Sequence, residues 1–309
     1  MLTRKTLLQA KSEASYGGGA TMGDTDAVLI SNLTINIDPQ VLERDVYRNT
    51  ISAFATRVGR KLFTCSFDVE LKGKSTVPTL IAPTELHPLF LACGMIASEV
   101  AGVGIVYSPT SDEASMISAC LKFNLDGMLY NMTGAYGTMT FNLTAGQYGV
   151  VTFNFTGLYN KPSDEVQPSA VYRSDAQPPI VESIGATIDS YTMIGEMLEI
   201  ALNNEIVERP DFNSPEGLKG LRITARNSGG TVNPEMVSVA TKDFFQILED
   251  SDKIVIECSV GTVAGNIFDF TMPEVQISGL TPNDRNGIRT FDINYVATGT
   301  DNEITIFSH

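Results

Sequence analysis

The sequence predicts an all-β protein with minor helix, and three observations lead to this fold class. First, apolar and polar residues alternate with a period of two, as at Leu33, Ile35 and Ile37, which is the pattern of half-buried strands. Second, 26 glycines accompany 43% hydrophobic and only 18% charged residues, which is typical of a folded, turn-rich chain. Third, Asp126-Gly127 is a dipeptide favoured in tight hairpin turns.

The elements follow in chain order. The glycine-rich stretch before Ala27 predicts an irregular N-terminal arm over residues 1–26. The alternating runs of the first half predict strands over residues 32–38, 63–71, 121–125, 128–130, 136–143 and 148–158. Residues 84–94 are expected to form a short helix that ends at Gly94, and residues 241–248 have helical spacing.

A change of composition predicts the domain boundary. Between Asn160 and Ile184 the chain contains four prolines among Ser, Asp and Glu residues, which is typical of a linker. The predicted organisation is an arm (1–26), a first domain (27–160), a linker (161–184) and a second domain (185–309).

The two predicted domains look like copies of each other. Leu33, Ile35 and Ile37, followed by Val41-Leu42-Glu43-Arg44, correspond to Leu198, Ile200 and Leu202, followed by Ile206-Val207-Glu208-Arg209. A second strand, near 63–71 and 221–225, and then a short helix follow in each half. Gly149–Phe155 and Gly287–Ile293 close the two halves in parallel. One chain is therefore expected to cover two equivalent positions in an assembly, and chance similarity is the alternative.

Charge and composition exclude several classes of protein. The formal net charge of −15 disfavours ordinary DNA binding, although an acidic wall suits a channel through which DNA passes without sticking. The four cysteines are widely spaced and are expected to be reduced and buried. We expect neither a secretion signal nor a membrane-spanning helix, because no long apolar run is present.

The sequence predicts no enzyme. His87 and His309 are the only histidines, so no histidine cluster for zinc and no supported catalytic triad is expected. No phosphate-binding or dinucleotide-binding glycine motif is present. The expectation is therefore no catalytic residue, no metal site and no cofactor, and the acidic pairs are interpreted as solvated charge.

Six stretches resemble the major tail tube proteins of bacteriophages with long non-contractile tails. They are residues 2–17 (beginning Leu2-Thr-Arg-Lys), 27–33, 67–73, 88–94, 154–159 and 240–245. The resemblance implies two tandem tail-tube-type domains, each a β-sandwich or split barrel with one short flanking helix. It also implies that strands join around a ring, and that rings stack into a hollow tube for the genome.

This resemblance implies partners and a location. The partners are further copies of the chain, as a ring of three with pseudo-sixfold symmetry or a ring of six, and other tail proteins. Double-stranded DNA passes non-specifically through the lumen, and no membrane is involved. The location is the virion tail, with assembly in the host cytoplasm. The loop from Asp38 to Lys61 and its counterpart, residues 204–215, are predicted to join stacked rings through Arg44, Asp45, Arg57, Glu208 and Arg209.

Two other functions stay open from the sequence. One is a β-rich carbohydrate-binding or adhesin-like virion protein, against which the absence of Trp argues. The other is a glycoside hydrolase that uses a pair of carboxylates.

Overall fold

The computed structural model describes residues 2–172 and 176–309, and its fold is all-β with two short helices. The strands of the first half are β1 (Thr6–Ser12), β2 (Ala27–Val28), β3 (Ser31–Leu42), β4 (Arg57–Glu70), β5 (Met95–Val100), β6 (Gly104–Pro109), β7 (Ala119–Leu125), β8 (Met128–Thr144) and β9 (Val150–Tyr159). The helix α1 (His87–Ala92) lies between β4 and β5.

The strands of the second half are β10 (Ser163–Asp164), β11 (Thr187–Ile188), β12 (Tyr191–Thr192), β13 (Gly195–Ala201), β14 (Asn204–Pro210), β15 (Leu218–Arg226), β16 (Gly229–Pro234), β17 (Ile254–Val260), β18 (Phe268–Arg285), β19 (Ile288–Ala297) and β20 (Thr305–Ser308). The helix α2 (Phe244–Asp250) precedes β17.

The same order of paired strands occurs in each half. In the first half, antiparallel pairs give the order β3-β4-β9-β8-β7-β1-β2. In the second half, the order is β13-β16-β19-β18-β17-β11-β12. The repeated order supports the internal duplication, because the first strand, the final hairpin and the helix hold equivalent places.

One hydrophobic core extends through both halves. Phe67, Phe153 and Phe155 pack against one another within the first half, with ring centroids 5.8 to 5.9 Å apart. Phe141 of β8 meets Phe270 of β18 edge to face at 4.9 Å, a favourable geometry for aromatic rings. The halves therefore share a core as well as a sheet.

Local signals in the sequence are confirmed in several places. Asp126 and Gly127 have φ of 50° and 105° and connect β7 to β8, as a two-residue hairpin turn requires. Gly94, with φ of 75°, follows α1 and ends it. His87 begins α1, and its Nδ1 lies 3.0 Å from the hydroxyl of Tyr107. The four cysteines are buried free thiols.

The N-terminal segment differs from the expected irregular arm. β1 pairs with β7 over seven residue pairs. Beyond β1, the buried Glu13 carboxylate accepts hydrogen bonds from the N–H groups of Gly17, Gly19 and Gly134 and from the hydroxyl of Ser118. The bonds from Gly17 and Gly19 are local, whereas those from Gly134 and Ser118 join distant parts of the chain. Together they hold the glycine-rich stretch in place, and a local composition signal does not contain the long-range ones.

The second strand of the duplicated unit also differs from the prediction. The expected counterpart of 63–71 was 221–225, but these residues belong to β15, which pairs with β14 in a separate two-stranded sheet. β16 instead takes the place beside β19 that β4 takes beside β9. The predicted linker contains β10 but otherwise little regular structure, and residues 173–175 of it lie outside the described residues. The domain bounds stay a prediction.

Candidate assembly surfaces

The two halves are joined edge to edge by β8 and β13. Residues Thr140–Thr144 of β8 pair antiparallel with Met197–Ala201 of β13 over five residue pairs. β7 lies along the earlier part of the same β8 edge, because Met132 pairs with β7 and with β9 on opposite sides. The long β8 strand thus spans both halves, and we call its contact with β13 the strand joint.

The strand joint is buried on its core side. Phe141 and Ile200 lie opposite each other and are 1% and 0% exposed. The joint ends where the N–H of Leu202 donates to the carbonyl of Met139 at 3.0 Å. The carbonyl of Leu202 accepts instead from the hydroxyl of Ser228 at 3.2 Å. At this end of the strand joint, Met139 therefore accepts a hydrogen bond through its carbonyl but donates none to Leu202 through its N–H.

An equivalent edge in the second half is uncovered. β18 carries β17 along Phe268–Val275 of one edge, and β19 along Val275–Arg285 of the other. Beyond Val275, the β17 side of β18 has no paired strand within the described part of the chain. Thr281, Pro282, Asn283 and Asp284 are exposed there. We call residues 280–285 on this side the outer edge of β18.

The first strand of the first half has an uncovered edge as well. β3 pairs with β4 on one side, and no strand among the described residues covers its other side. Leu33 and Ile35 are half-buried, whereas the equivalent Leu198 and Ile200 are 3% and 0% exposed under β8. A groove of about 750 Å³ opens beside Leu33 and Ile35, and Arg4 lines it.

The β14–β15 hairpin shows how one half covers the other. Leu221 and Ile223 of β15 form a small second core with Leu62 and Tyr136 of the first half. The N–H of Leu221 donates to the hydroxyl of Tyr16 at 2.6 Å, and burial raises the pKa of Tyr16 to about 12. The hairpin therefore holds the first half by apolar burial and a long-range hydrogen bond.

The equivalent connection in the first half, the loop of residues 43–56 between β3 and β4, protrudes. Its residues are exposed apart from Phe54, on which Arg48 and Arg44 stack at 4.1 and 5.3 Å from the ring centroid. Tyr47 and Ile51 are fully exposed. Exposed apolar side chains on a protruding loop are typical of a contact surface.

The predicted contact residues fall into two groups. Arg44 and Asp45 lie in the protruding loop, and Arg57 begins β4 beside it, all three exposed. Glu208 accepts from Arg60 Nε at 2.7 Å, and Arg209 is half-buried beside a pocket that Tyr16 also lines. The structure thus places Glu208 and Arg209 where the two halves of one chain meet. Sequence reasoning did not find the two uncovered edges, for which Pro282 in an alternating run was the available signal.

A polar face runs across both halves. Its residues alternate with the core residues, so hydroxyl and amide side chains face away from the core. One cross-strand row consists of Asn142, Glu199, Thr231 and Asn294, and it crosses the strand joint. Asp68 lies on the same face and accepts from Asn32 and Thr152, both at 2.7 Å. The joint therefore makes one continuous polar surface from two halves.

The described residues contain neither a metal-binding cluster nor a membrane-spanning helix. Among residues 2–172 and 176–309, no three His, Cys, Asp or Glu side chains are grouped so that they could hold a metal ion. In the same residues, no helix is long and apolar enough to cross a membrane.

Comparison with known proteins gives one result for the whole chain. No curated protein matches the sequence. A family whose description is phage tail tube protein matches residues 3–305, which is nearly the full length. The family implies assembly of the chain with itself and with other tail proteins. The chain therefore belongs to the phage tail tube protein family and is a structural protein of the virion tail.

Proposed function

We propose that the chain polymerises into rings that stack into the hollow tube of a phage tail, through which DNA is ejected. The observation that carries this proposal is the strand joint, in which two equivalent halves are already joined side by side within one chain. The uncovered edges of β3 and β18 leave each chain open at both ends of this arrangement. A closed ring satisfies the backbone groups of such edges.

Each chain contributes two similar halves, so a ring closed by six halves contains three chains. Such a ring has pseudo-sixfold symmetry. The repeated strand order supports this number, because each half presents the same elements in the same order. The six equivalent positions are those that the family resemblance implies.

Stacking of rings is assigned to the protruding loop. Arg44, Asp45 and Arg57 are exposed in or beside it, together with Tyr47 and Ile51. The occupant of this surface is a second ring of the same chain. Glu208 and Arg209 support the contact between halves rather than the loop contact, because Glu208 already pairs with Arg60.

The polar face is assigned to the lumen. Its hydroxyl, amide and carboxylate groups give no basic groove to hold phosphates, and the net charge of the chain is −15. DNA then slides past the wall with little attraction.

Electron microscopy of the chain expressed alone tests this proposal. End-on class averages are expected to show hollow rings with threefold symmetry and a weaker sixfold repeat, and side views are expected to show stacks. Compact monomers at every protein concentration, with or without other tail proteins, would contradict it. Rings of six chains with true sixfold symmetry would support the tube proposal but contradict the ring of three chains.

A further inference from the structure

We propose that a small oxyanion of the phosphate type binds in the cavity where the β14–β15 hairpin meets the first half, and that it fastens the hairpin there. This cavity, which we call the hairpin pocket, has a volume of about 280 Å³. Its walls include Tyr16 of the N-terminal segment, Tyr136 of β8, Arg209 of β14 and residues 219–223 of β15. The site goes beyond the proposed ring, because all of its groups belong to one chain.

The charge of the hairpin pocket is opposite to that of the whole chain. Arg209, Lys219 and Arg222 line the pocket, and Glu113 is the one carboxylate among its lining residues. The pocket therefore has two positive charges in excess, whereas the chain has a formal net charge of −15. A local excess of cations on an acidic protein indicates a site for negative charge.

The cations of the pocket are not fully used within the chain. Neither Arg209 nor Lys219 forms an ion pair with another of residues 2–172 and 176–309. Arg222 pairs with Glu113 through Nη1. A guanidinium has five N–H donors, so further donors of Arg222 remain for a ligand.

The β14–β15 ladder brings Arg209 next to Tyr16. Arg209 lies opposite Gly220, and a Cβ at Gly220 would lie only 2.3 Å from the Tyr16 ring, so a side chain at this position would separate the two. Burial raises the pKa of Tyr16 and the charge of Arg209 opposes this rise, as expected of a guanidinium near the phenol. Tyr16 is held by the N–H of Leu221 and stacks on Tyr136, with ring centroids 5.8 Å apart.

The hydroxyl of Tyr136 is a donor without a partner among the described residues. Tyr136 is 8% exposed and lines the pocket, and no described group forms a hydrogen bond with its hydroxyl. Tyrosine hydroxyls in buried positions usually have a hydrogen-bond partner. The hydroxyl of Tyr16 accepts from Leu221, and its own proton is still available. Two neutral donors thus lie beside the three cations.

These donors fit an oxyanion. Guanidinium groups donate parallel hydrogen bonds to phosphate, and hydroxyl groups add single ones. A cavity of about 280 Å³ holds a tetrahedral oxyanion together with several waters, since a water takes about 30 Å³. Inorganic phosphate is therefore the probe for this site.

An anion in the pocket would link the two halves. Arg209 and Arg222 belong to the second half and Tyr136 belongs to the first, where it already packs on Leu221 and Ile223. A ligand that binds only while the hairpin is docked stabilises the docked state by mass action. Phosphate is therefore expected to reduce opening of the hairpin.

Isothermal titration calorimetry of the full chain with inorganic phosphate tests the site. Phosphate replaces chloride at constant pH and ionic strength, and one phosphate is expected to bind per chain. Arg209→Gln keeps a long polar side chain and removes the charge, so the affinity is expected to fall about tenfold. Tyr136→Phe keeps the ring that stacks on Tyr16 and removes the hydroxyl, and a loss of about fivefold is expected.

A matched control and a second readout make the result specific. Arg289→Gln removes one positive charge at an exposed position outside the pocket, and its affinity for phosphate is expected to equal that of the native chain. Trypsin cleavage after Arg222 requires the hairpin to open. At phosphate ten times above Kd, this cleavage is expected to slow about tenfold in the native chain and in Arg289→Gln, but much less in Arg209→Gln.

Each outcome supports or contradicts the proposal. Weaker binding by Arg209→Gln and Tyr136→Phe, with unchanged binding by Arg289→Gln, supports the site. Equal losses in all three variants would show that binding follows net charge, and no phosphate binding by the folded native chain would overturn the site. Binding of an acidic peptide without any binding of phosphate would assign the cations to a protein partner and overturn it as well. None of these results depends on whether the chain forms rings.

Discussion

The edges of β8 and β18 occupy equivalent places in the two halves, yet the first is covered by β13 and the second is exposed. The burial of the core-side residues differs in the same way. Ile200 under the strand joint is fully buried, and Ile35 at the equivalent place in β3 is half-buried. The two halves, which share one strand order, thus differ at an edge that has a paired strand in one half and none in the other among the described residues.

The repeated strand order gives β3 and β18 edges that correspond to the two edges paired in the strand joint. In the ring that we propose, a contact equivalent to the strand joint would form between chains, because both halves keep the same strand order. The same reasoning applies to the connection after the first strand. The β14–β15 hairpin packs on the first half, while the loop of residues 43–56 extends into solvent.

The largest expected effect on stability is the difference between alanine variants of Ile200 and Ile35. Ile200→Ala is expected to lower the free energy of unfolding by about 3 kcal/mol, because it leaves a cavity in a fully buried position. Ile35→Ala is the matched change, and about 1 kcal/mol is expected because the side chain is half-exposed in the single chain. Urea unfolding measures both values, at protein concentrations too low for rings to form. Equal losses of unfolding free energy in the two variants would contradict the predicted difference between the covered and the uncovered edge.

The next effect concerns the hairpin that covers the first half. Leu221→Ala is expected to lower the free energy of unfolding by about 2 kcal/mol and to expose β14–β15 to protease, because Leu221 is 3% exposed in the second core. Phe212→Ala, which changes a residue that is 95% exposed between the two strands, is the control. Limited proteolysis at the hairpin reads out the difference. Similar cleavage of both variants would show that the hairpin does not depend on its apolar contact.

A third effect tests the hydrogen bond of the same hairpin. Tyr16→Phe removes the acceptor for the N–H of Leu221, and a loss of about 1 kcal/mol is expected. The pKa of Tyr16 is raised to about 12 in the folded chain, so its stabilising effect is present below pH 10 and declines as the pH rises from 10 towards 12. The free energy of unfolding, measured between pH 8 and pH 11, should therefore fall more steeply with pH for the native chain than for Tyr16→Phe.

The smallest effect on stability is expected in the protruding loop. Tyr47→Ser and Ile51→Ser change fully exposed residues, so the free energy of unfolding should change by less than about 0.5 kcal/mol. Stacking is expected to fail, leaving single rings in electron micrographs. Long tubes from the double variant would remove the loop from the contact between rings, and a large loss of stability would show that it packs within the chain.

Much of the fold follows from local patterns. The alternation at Leu33, Ile35 and Ile37, the Asp126-Gly127 turn and the helix ended by Gly94 depend on backbone preferences and periodicity within a few residues. The similarity of the two halves is predicted from the same kind of local pattern. The N-terminal segment was not predictable in this way, because Glu13 fixes it through Gly134 and Ser118, more than a hundred residues away.

Residue patterns alone gave the strand-rich class, the acidic charge and the resemblance to tail tube proteins, and they predict two similar halves. Tertiary structure decided that β15 leaves the main sheet, that Glu208 meets Arg60, and that β13 pairs with β8. It also decided that no strand of the described residues covers the free edge of β3 or the outer edge of β18. The physical reason is that alternation specifies which face of a strand is buried, whereas the partner along each edge depends on backbone hydrogen bonds between distant segments.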